Sequence, residues 1–271
     1  MIDTIKGGVE SIKVFSVSGY CSVYNDARQI SVDELKFTGK ESTQKYIGAS
    51  RRSDAADNSG DYASELRSIF DKYIKTQCLR DIIENLVFMN ADFPVWPAAT
   101  RMHHAFPGGL LMHTLFVAKN AASFAETYKS ASDDINIELV VAGAILHDVG
   151  KLYEYNSDGS RTLDGDLFGH IYIGARMVEE FFNKYVQSNS VTPVDYDLVK
   201  YLTHIILAHH ELQEYGTVAK PFIIEAYMVA RSDASDATFE EVFETLNYLT
   251  PGTSSLRAVP GTENRILRKG L

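Results

Sequence analysis

All eight histidines of this 271-residue chain fall between positions 103 and 210, and that crowding constrains the fold more than any other feature of the sequence. They form the groups His103-His104, His113, His147-Asp148, His170, and His204 with His209-His210; Asp233 follows one predicted helix later. Any one histidine alone reads as well as a packing or surface residue, and for His103 and His204 both readings stand. The ordered series His, His-Asp, His, His-His, Asp is different, because it gains a purpose only where several helices lie side by side. Imidazole nitrogen and carboxylate oxygen suit manganese, iron, cobalt, nickel or zinc. The two cysteines, Cys21 and Cys78, lie outside the series, which disfavours a structural zinc finger and leaves no disulfide framework. In an adjacent His-Asp pair the carboxylate has two oxygens and can bridge two ions. Two ions about 3.5–4 Å apart can activate a water and stabilise the leaving oxygen of a phosphate ester.

Apolar periodicity puts this series on helices. Leu66, Ile69, Phe70, Tyr73 and Ile74 recur at spacings of three and four, as do Leu79, Ile82, Ile83 and Leu86. Further helices are predicted over 108–128, 136–148, 168–187, 195–210, 220–231 and 238–247, with Asp195 and Thr238 as N-caps and Pro221 in a first turn. Residues 14–32 alternate instead, with Gly19, Asn25 and Asp26 as breaks, and predict strands. Residues 48–61 hold almost no large apolar side chain and read as a linker. The expected organisation is therefore a small β-rich segment over 1–47, a linker over 48–61, a helical domain over 62–250 and a basic tail over 251–271. The fold class is mainly α, with a small N-terminal β segment.

The net charge of −10 argues against broad electrostatic capture of nucleic acid, although a bound divalent ion supplies positive charge where it is needed. The tail runs the other way, with Arg257, Arg265, Arg268 and Lys269 against Glu263. It reads as a frayed solvated terminus or as a contact for phosphate. No apolar run approaches the roughly 20 residues needed to span a bilayer, and the first residues lack a secretory pattern, so a cytoplasmic setting without membrane attachment is expected.

His113, His147-Asp148 and Asp233 match the signature of the HD superfamily of metal-dependent phosphohydrolases, which the chain resembles. The resemblance implies a helical HD-domain fold in which these four residues hold one metal. His170, His209 and His210 look like the ligands that bind a second metal in binuclear members, together with the bridging Asp148. Lys151, in His-Asp-Val-Gly-Lys, resembles the lysine that contacts substrate phosphate, and also reads as a solvated helix-terminal lysine. The stretch Pro97–Thr114, with Gly169-His170-Ile171 and the segment Ala208–Gly216, resembles the YhaM-type 3′–5′ exoribonucleases. That family places an OB-fold before the HD domain. Residues 14–38 resemble its closing strands with too little chain ahead of them for a five-stranded barrel, so a truncated or remodelled OB-like segment is expected.

The activity implied is metal-dependent hydrolysis of a phosphodiester, exonuclease-like on single-stranded RNA or DNA, with two divalent metal ions and a metal-activated water at Asp148. Lys151 is then expected on the substrate phosphate, and Glu211 orients a ligand or moves a proton. His103, His104 and His204 are expected to meet substrate, with His104 at the rim protonating the leaving group. Other readings use the same residues: an HD enzyme for small nucleotides, a di-iron HD oxygenase, or a non-catalytic binding module. Self-association through the N-terminal strands is also open, since an incomplete barrel leaves strand edges unpaired.

Overall fold

The alternating N-terminal residues form a two-stranded antiparallel ribbon, β1 (Ile12–Tyr24) and β2 (Ala27–Ser42). This is a computed structural model, and it describes residues 12–24, 27–42, 59–100, 104–157, 159–212 and 216–270. Register pairs Phe15 with Phe37 and Val17 with Leu35 on one face, and Ser16 with Lys36 and Ser18 with Glu34 on the other. The Phe15 and Phe37 rings lie 5.5 Å apart. At Gly19 a Cβ would sit 2.1 Å from the Ser31 carbonyl oxygen, so this crossing tolerates only glycine. The remainder of the expected β segment and linker residues 48–58 lie outside the described residues.

The helical region begins with α1 (Ser59–Tyr73) and α2 (Gln77–Ile83), the latter running into a π turn over Glu84–Phe88. Then come α3 (Gly109–Lys129), α4 (Ile137–Leu146), the single turn α5 (Lys151–Glu154), α6 (Leu163–Tyr185), α7 (Pro193–Ala208) and α8 (Ile224–Asn247). Helix α4, the apolar run that precedes His147-Asp148, is the axis of the domain. Asn136 caps it by accepting a hydrogen bond from the Leu139 N–H, and its residues from Leu139 to Leu146 are all buried. A helix apolar on every side belongs in the middle of a bundle, and α4 packs against α1, α2, α3, α7 and α8. Burying each Leu, Ile or Val side chain of this kind contributes about 1.5–3 kcal/mol.

Five expectations need correction. Helix α6 starts five residues before the predicted 168, because Thr162 accepts from the Gly165 N–H as its N-cap and Gly169 breaks the helix at φ 68°, ψ 159° without ending it. Asp195 is not the cap of α7; Thr192 is, and Asp195 completes a capping box from the first turn behind Pro193. The two helices expected over 220–231 and 238–247 are one. Thr238 caps nothing, because its hydroxyl donates back to the Ala234 carbonyl, as Ser232 does to Met228 and Ser235 to Arg231. Pro221 stands ahead of that helix rather than in its first turn. Finally, the tail is folded. Ser254 bridges Leu267, Val259 and Ser255 are buried, and Arg268 donates to the carbonyl oxygens of Leu246 and Leu249, capping the end of α8.

Among the described residues no helix is long and apolar enough to cross a membrane. The tightest helix crossing is at Gly150, where a Cβ would lie 2.0 Å from the His170 carbonyl oxygen and 2.6 Å from the Gly174 nitrogen. Gly150→Ala should therefore cost at least about 1–3 kcal/mol of stability in a denaturant titration. Gly60→Ala in α1, where nothing lies within 4 Å, should be neutral or stabilising by up to about 1 kcal/mol. Equal midpoints for the two variants would contradict this account.

Candidate metal centre

Five elements converge on Asp148. Helix α3 begins after Gly108 in the left-handed region (φ 82°) and presents His113 from its second turn. His147 and Asp148 occupy the turn after α4, His170 follows the break in α6, His209 and His210 follow α7, and Asp233 projects from α8. Around Asp148 Oδ2 lie His113 Nε2 at 3.3 Å, His147 Nε2 at 3.4 Å and the Lys151 ammonium at 2.6 Å. Asp233 Oδ1 closes this group at 3.2 Å from His113 Nε2 and 3.8 Å from His147 Nε2. Around the other oxygen, Oδ1, stand His170 Nε2 at 3.3 Å and His209 Nε2 at 3.7 Å. His210 joins that side: ligand atoms of His170, His209 and His210 fall within 4.8 Å of one another, as do those of His113, His147 and Asp233.

The donor set fits metal ions. Asp148 Oδ1, His170 Nε2 and His209 Nε2 are buried without a hydrogen bond, a condition that buried polar atoms ordinarily avoid. Metal–nitrogen bonds of about 2.1 Å put neighbouring ligand atoms about 3.0–3.4 Å apart, close to the separations found here. The ring tautomers agree. His147 Nδ1 donates to the Ala144 carbonyl oxygen at 2.8 Å and His209 Nδ1 to that of Ile206 at 2.7 Å, so each Nε2 offers its lone pair to the cluster. Burial, together with His210 and His147, keeps His209 well below the usual imidazole range and therefore neutral.

The carboxylates stay charged. Burial favours the acid form of Asp148, but Lys151 and His147 outweigh it and hold the carboxyl well below its ordinary range. Asp233 is held down in the same way by His113, His147 and His209. For His113, burial is outweighed by Asp148, Asp233 and Asp236, which raise it well above the usual imidazole range. The carboxylates that favour a proton on His113 Nε2 favour a cation there equally.

Two supporting acids are absent from the sequence reading. Asp236 Oδ2 accepts from His113 Nδ1 at 2.7 Å and from His104 Nε2 at 2.7 Å. Glu154, almost fully buried, takes His170 Nδ1 at 2.9 Å and Arg161 at 3.1 Å. Asp236 lies three residues after Asp233 on the same helix, a spacing that could have flagged it. Nothing in the sequence around Glu154 distinguishes it from a surface acid.

The other expected residues are placed differently. His104 is fully buried behind His113 rather than at a rim. His204 accepts the Phe222 N–H at 3.0 Å, anchoring the segment before α8, and does not join the cluster. Glu211 sits at φ 60° and pairs with Arg231 at 2.8 Å. His103 lies outside the described residues.

The family model of the HD domain matches residues 110–238, which carry all the residues of the cluster. A 3′-5′ exoribonuclease YhaM of Listeria innocua is 32% identical over 268 residues, 97% of this chain and 80% of the relative. The chain belongs to the YhaM family of HD-domain proteins. In Listeria monocytogenes a YhaM exoribonuclease is 38% identical over 176 residues, 64% of this chain and 52% of the relative. That of Bacillus subtilis is 35% identical over 181 residues, 66% of this chain and 54% of the relative. In these last two matches the chain spans about half the length of the relative. No solved structure matches. Membership of the HD-domain family implies divalent-metal binding, for which the His/Asp clusters supply fitting ligands.

Replacing Asp236 by Asn removes a charged acceptor from His113 while keeping its shape. Metal affinity, followed by titration with a graded chelator, should fall about 10–100-fold. An unchanged affinity would make Asp236 a packing residue only.

Proposed function

We propose that this chain hydrolyses the phosphodiester bonds of single-stranded nucleic acid from the 3′ end, using two divalent cations. His113, His147, Asp148 and Asp233 are the ligands of one, and Asp148, His170, His209 and His210 those of the other. The observation that carries this reading is Asp148, with one carboxylate oxygen in each group of imidazoles. Divalent cations bound there supply Lewis acidity to phosphate oxygens and lower the pKa of water to near neutrality. The relatives named as 3′-5′ exoribonucleases support RNA as the polymer.

The chain's own groups have separable tasks. Asp148 holds the two halves of the centre in register. Lys151 is buried, fixed through its carbonyl by the Trp96 indole N–H at 3.2 Å, and kept protonated because Asp148 outweighs its burial. Its ammonium, 2.6 Å from Asp148, is positioned to bind a non-bridging phosphate oxygen and to stabilise the charge that develops on it. Helices α3, α4, α6, α7 and α8 exclude bulk water from all but the Asp233, His170 and His210 side of the cluster. Residues 62–250 form the catalytic unit in this reading, the N-terminal ribbon belongs to an OB-like segment, and Cys21 and Cys78 remain free thiols in the cytoplasm.

The decisive assay uses manganese-loaded protein on single-stranded RNA labelled at the 3′ or the 5′ end. Mononucleotides should leave from the 3′ end, and Asp148→Ala should lower the rate at least a thousandfold while circular dichroism stays unchanged. Inert RNA beside a hydrolysed cyclic or short nucleotide would move the function to the small-nucleotide reading. Metal removal gives a second measurement. Chelation leaves the His170 and His209 nitrogens buried without a partner, so the thermal midpoint should fall by several degrees and recover with manganese.

A further inference from the structure

The first half of α6 exposes large apolar side chains that the metal centre does not use. Phe168 and Tyr172 are 48% and 46% exposed, and their rings lie 5.6 Å apart. The Arg176 guanidinium lies 6.0 Å from the Phe168 ring and 5.9 Å from the Tyr172 ring. Its carboxylate neighbours, Glu180 at 3.6 Å and Asp164 at 4.0 Å, stand beyond hydrogen-bond distance. Phe168 is separated from His170 by Gly169 alone, at most about 7.6 Å of chain between their Cα atoms. Arg176 also lines a groove of about 730 Å³ that continues along α6 past Tyr153 to Lys184 and Tyr185.

We propose that Phe168, Tyr172 and Arg176 form a stacking platform for the bases of a single-stranded nucleic acid whose end lies in the metal centre. The inference rests on the polymer substrate proposed above. Its physical basis is the charge of the chain. At a net charge of −10 the surface cannot gather a polyanion by diffuse attraction, so affinity must come from local contacts. Aromatic faces supply such contacts to any base, which also suits an enzyme that must accept every sequence it shortens. Arg176 adds a planar cation that can stack or bind phosphate bidentately, and Lys184 places a second cation further along the groove. From Tyr172 to Lys184 the helix rises about 18 Å, room for about five stacked nucleotides.

The test compares wild type with Phe168→Ala/Tyr172→Ala and with Arg176→Gln. Binding of a fluorescent 12-nucleotide RNA is measured by anisotropy with calcium in place of manganese, and KM for the same RNA is measured with manganese. Manganese content and thermal midpoint report on the fold. The double variant should weaken binding and raise KM at least tenfold, and Arg176→Gln should reduce the salt dependence of binding, with manganese content and midpoint at wild-type values. Wild-type affinity and KM in both variants would overturn the platform while leaving the nuclease reading intact. So would a change in oligomeric state at unchanged RNA affinity, which would assign the face to a second copy of the chain. Wild-type protein that neither binds nor cuts the RNA would overturn both.

Discussion

The two oxygens of Asp148 lie in different groups of imidazoles, and that division dictates how the bundle is assembled. A carboxylate this deeply buried is costly unless cations and hydrogen-bond donors surround it. The neighbours come from every major helix of the domain except α1 and α2: His113 from α3, His147 from the end of α4, His170 from α6, His209 and His210 from α7, and Asp233 from α8. The all-apolar α4 delivers Asp148 to the centre, and the glycine at 150 lets the chain turn away against α6 without a side chain between them. Packing and chemistry are thus one constraint. A helix that shifted by a fraction of an ångström would change a ligand distance and strand a buried polar atom.

The histidines are locked from behind in two ways. His147 and His209 are tied to carbonyls three residues earlier in their own chain, so their orientation follows from helix geometry. His113 and His170 are tied to carboxylates, Asp236 and Glu154, that come from elsewhere in the fold. Each side of the centre therefore has one imidazole set locally and one set by tertiary structure. The carboxylates behind His113 and His170 hold those rings in one orientation, with Nε2 turned toward Asp148.

Much of the centre could be read from the sequence because metal chemistry restricts residue type. Imidazoles crowded into 108 positions, with a His-Asp pair at the end of an apolar run, leave few interpretations. The supporting shell was less legible. Glu154 looks like any acid at a helix end, and only the fold shows that it is buried against His170. His104, expected at the rim, is folded inward by the Pro-Gly-Gly turn: a Cβ at Gly109 would lie 2.1 Å from the His104 carbonyl oxygen. Within α8, Thr238 has the chemistry of an N-cap, and Ser232 and Ser235 also carry hydroxyls that can compete for backbone groups. Here their hydroxyls return to the preceding turn, and tertiary contact carries the helix through.

Glu154 also connects His170 to the outside. Its other oxygen is held by Arg161, which is 41% exposed in the turn that Tyr155 and Arg161 close by a single β-bridge. Asp236, by contrast, accepts from the buried ring of His104. Ions in solution screen an exposed guanidinium and leave a buried ring untouched. The two halves of the centre thus differ in their contact with solvent: the tether behind His170 reaches the surface at Arg161, and that behind His113 stays inside. A cation held beside His170 would feel the medium through that surface contact.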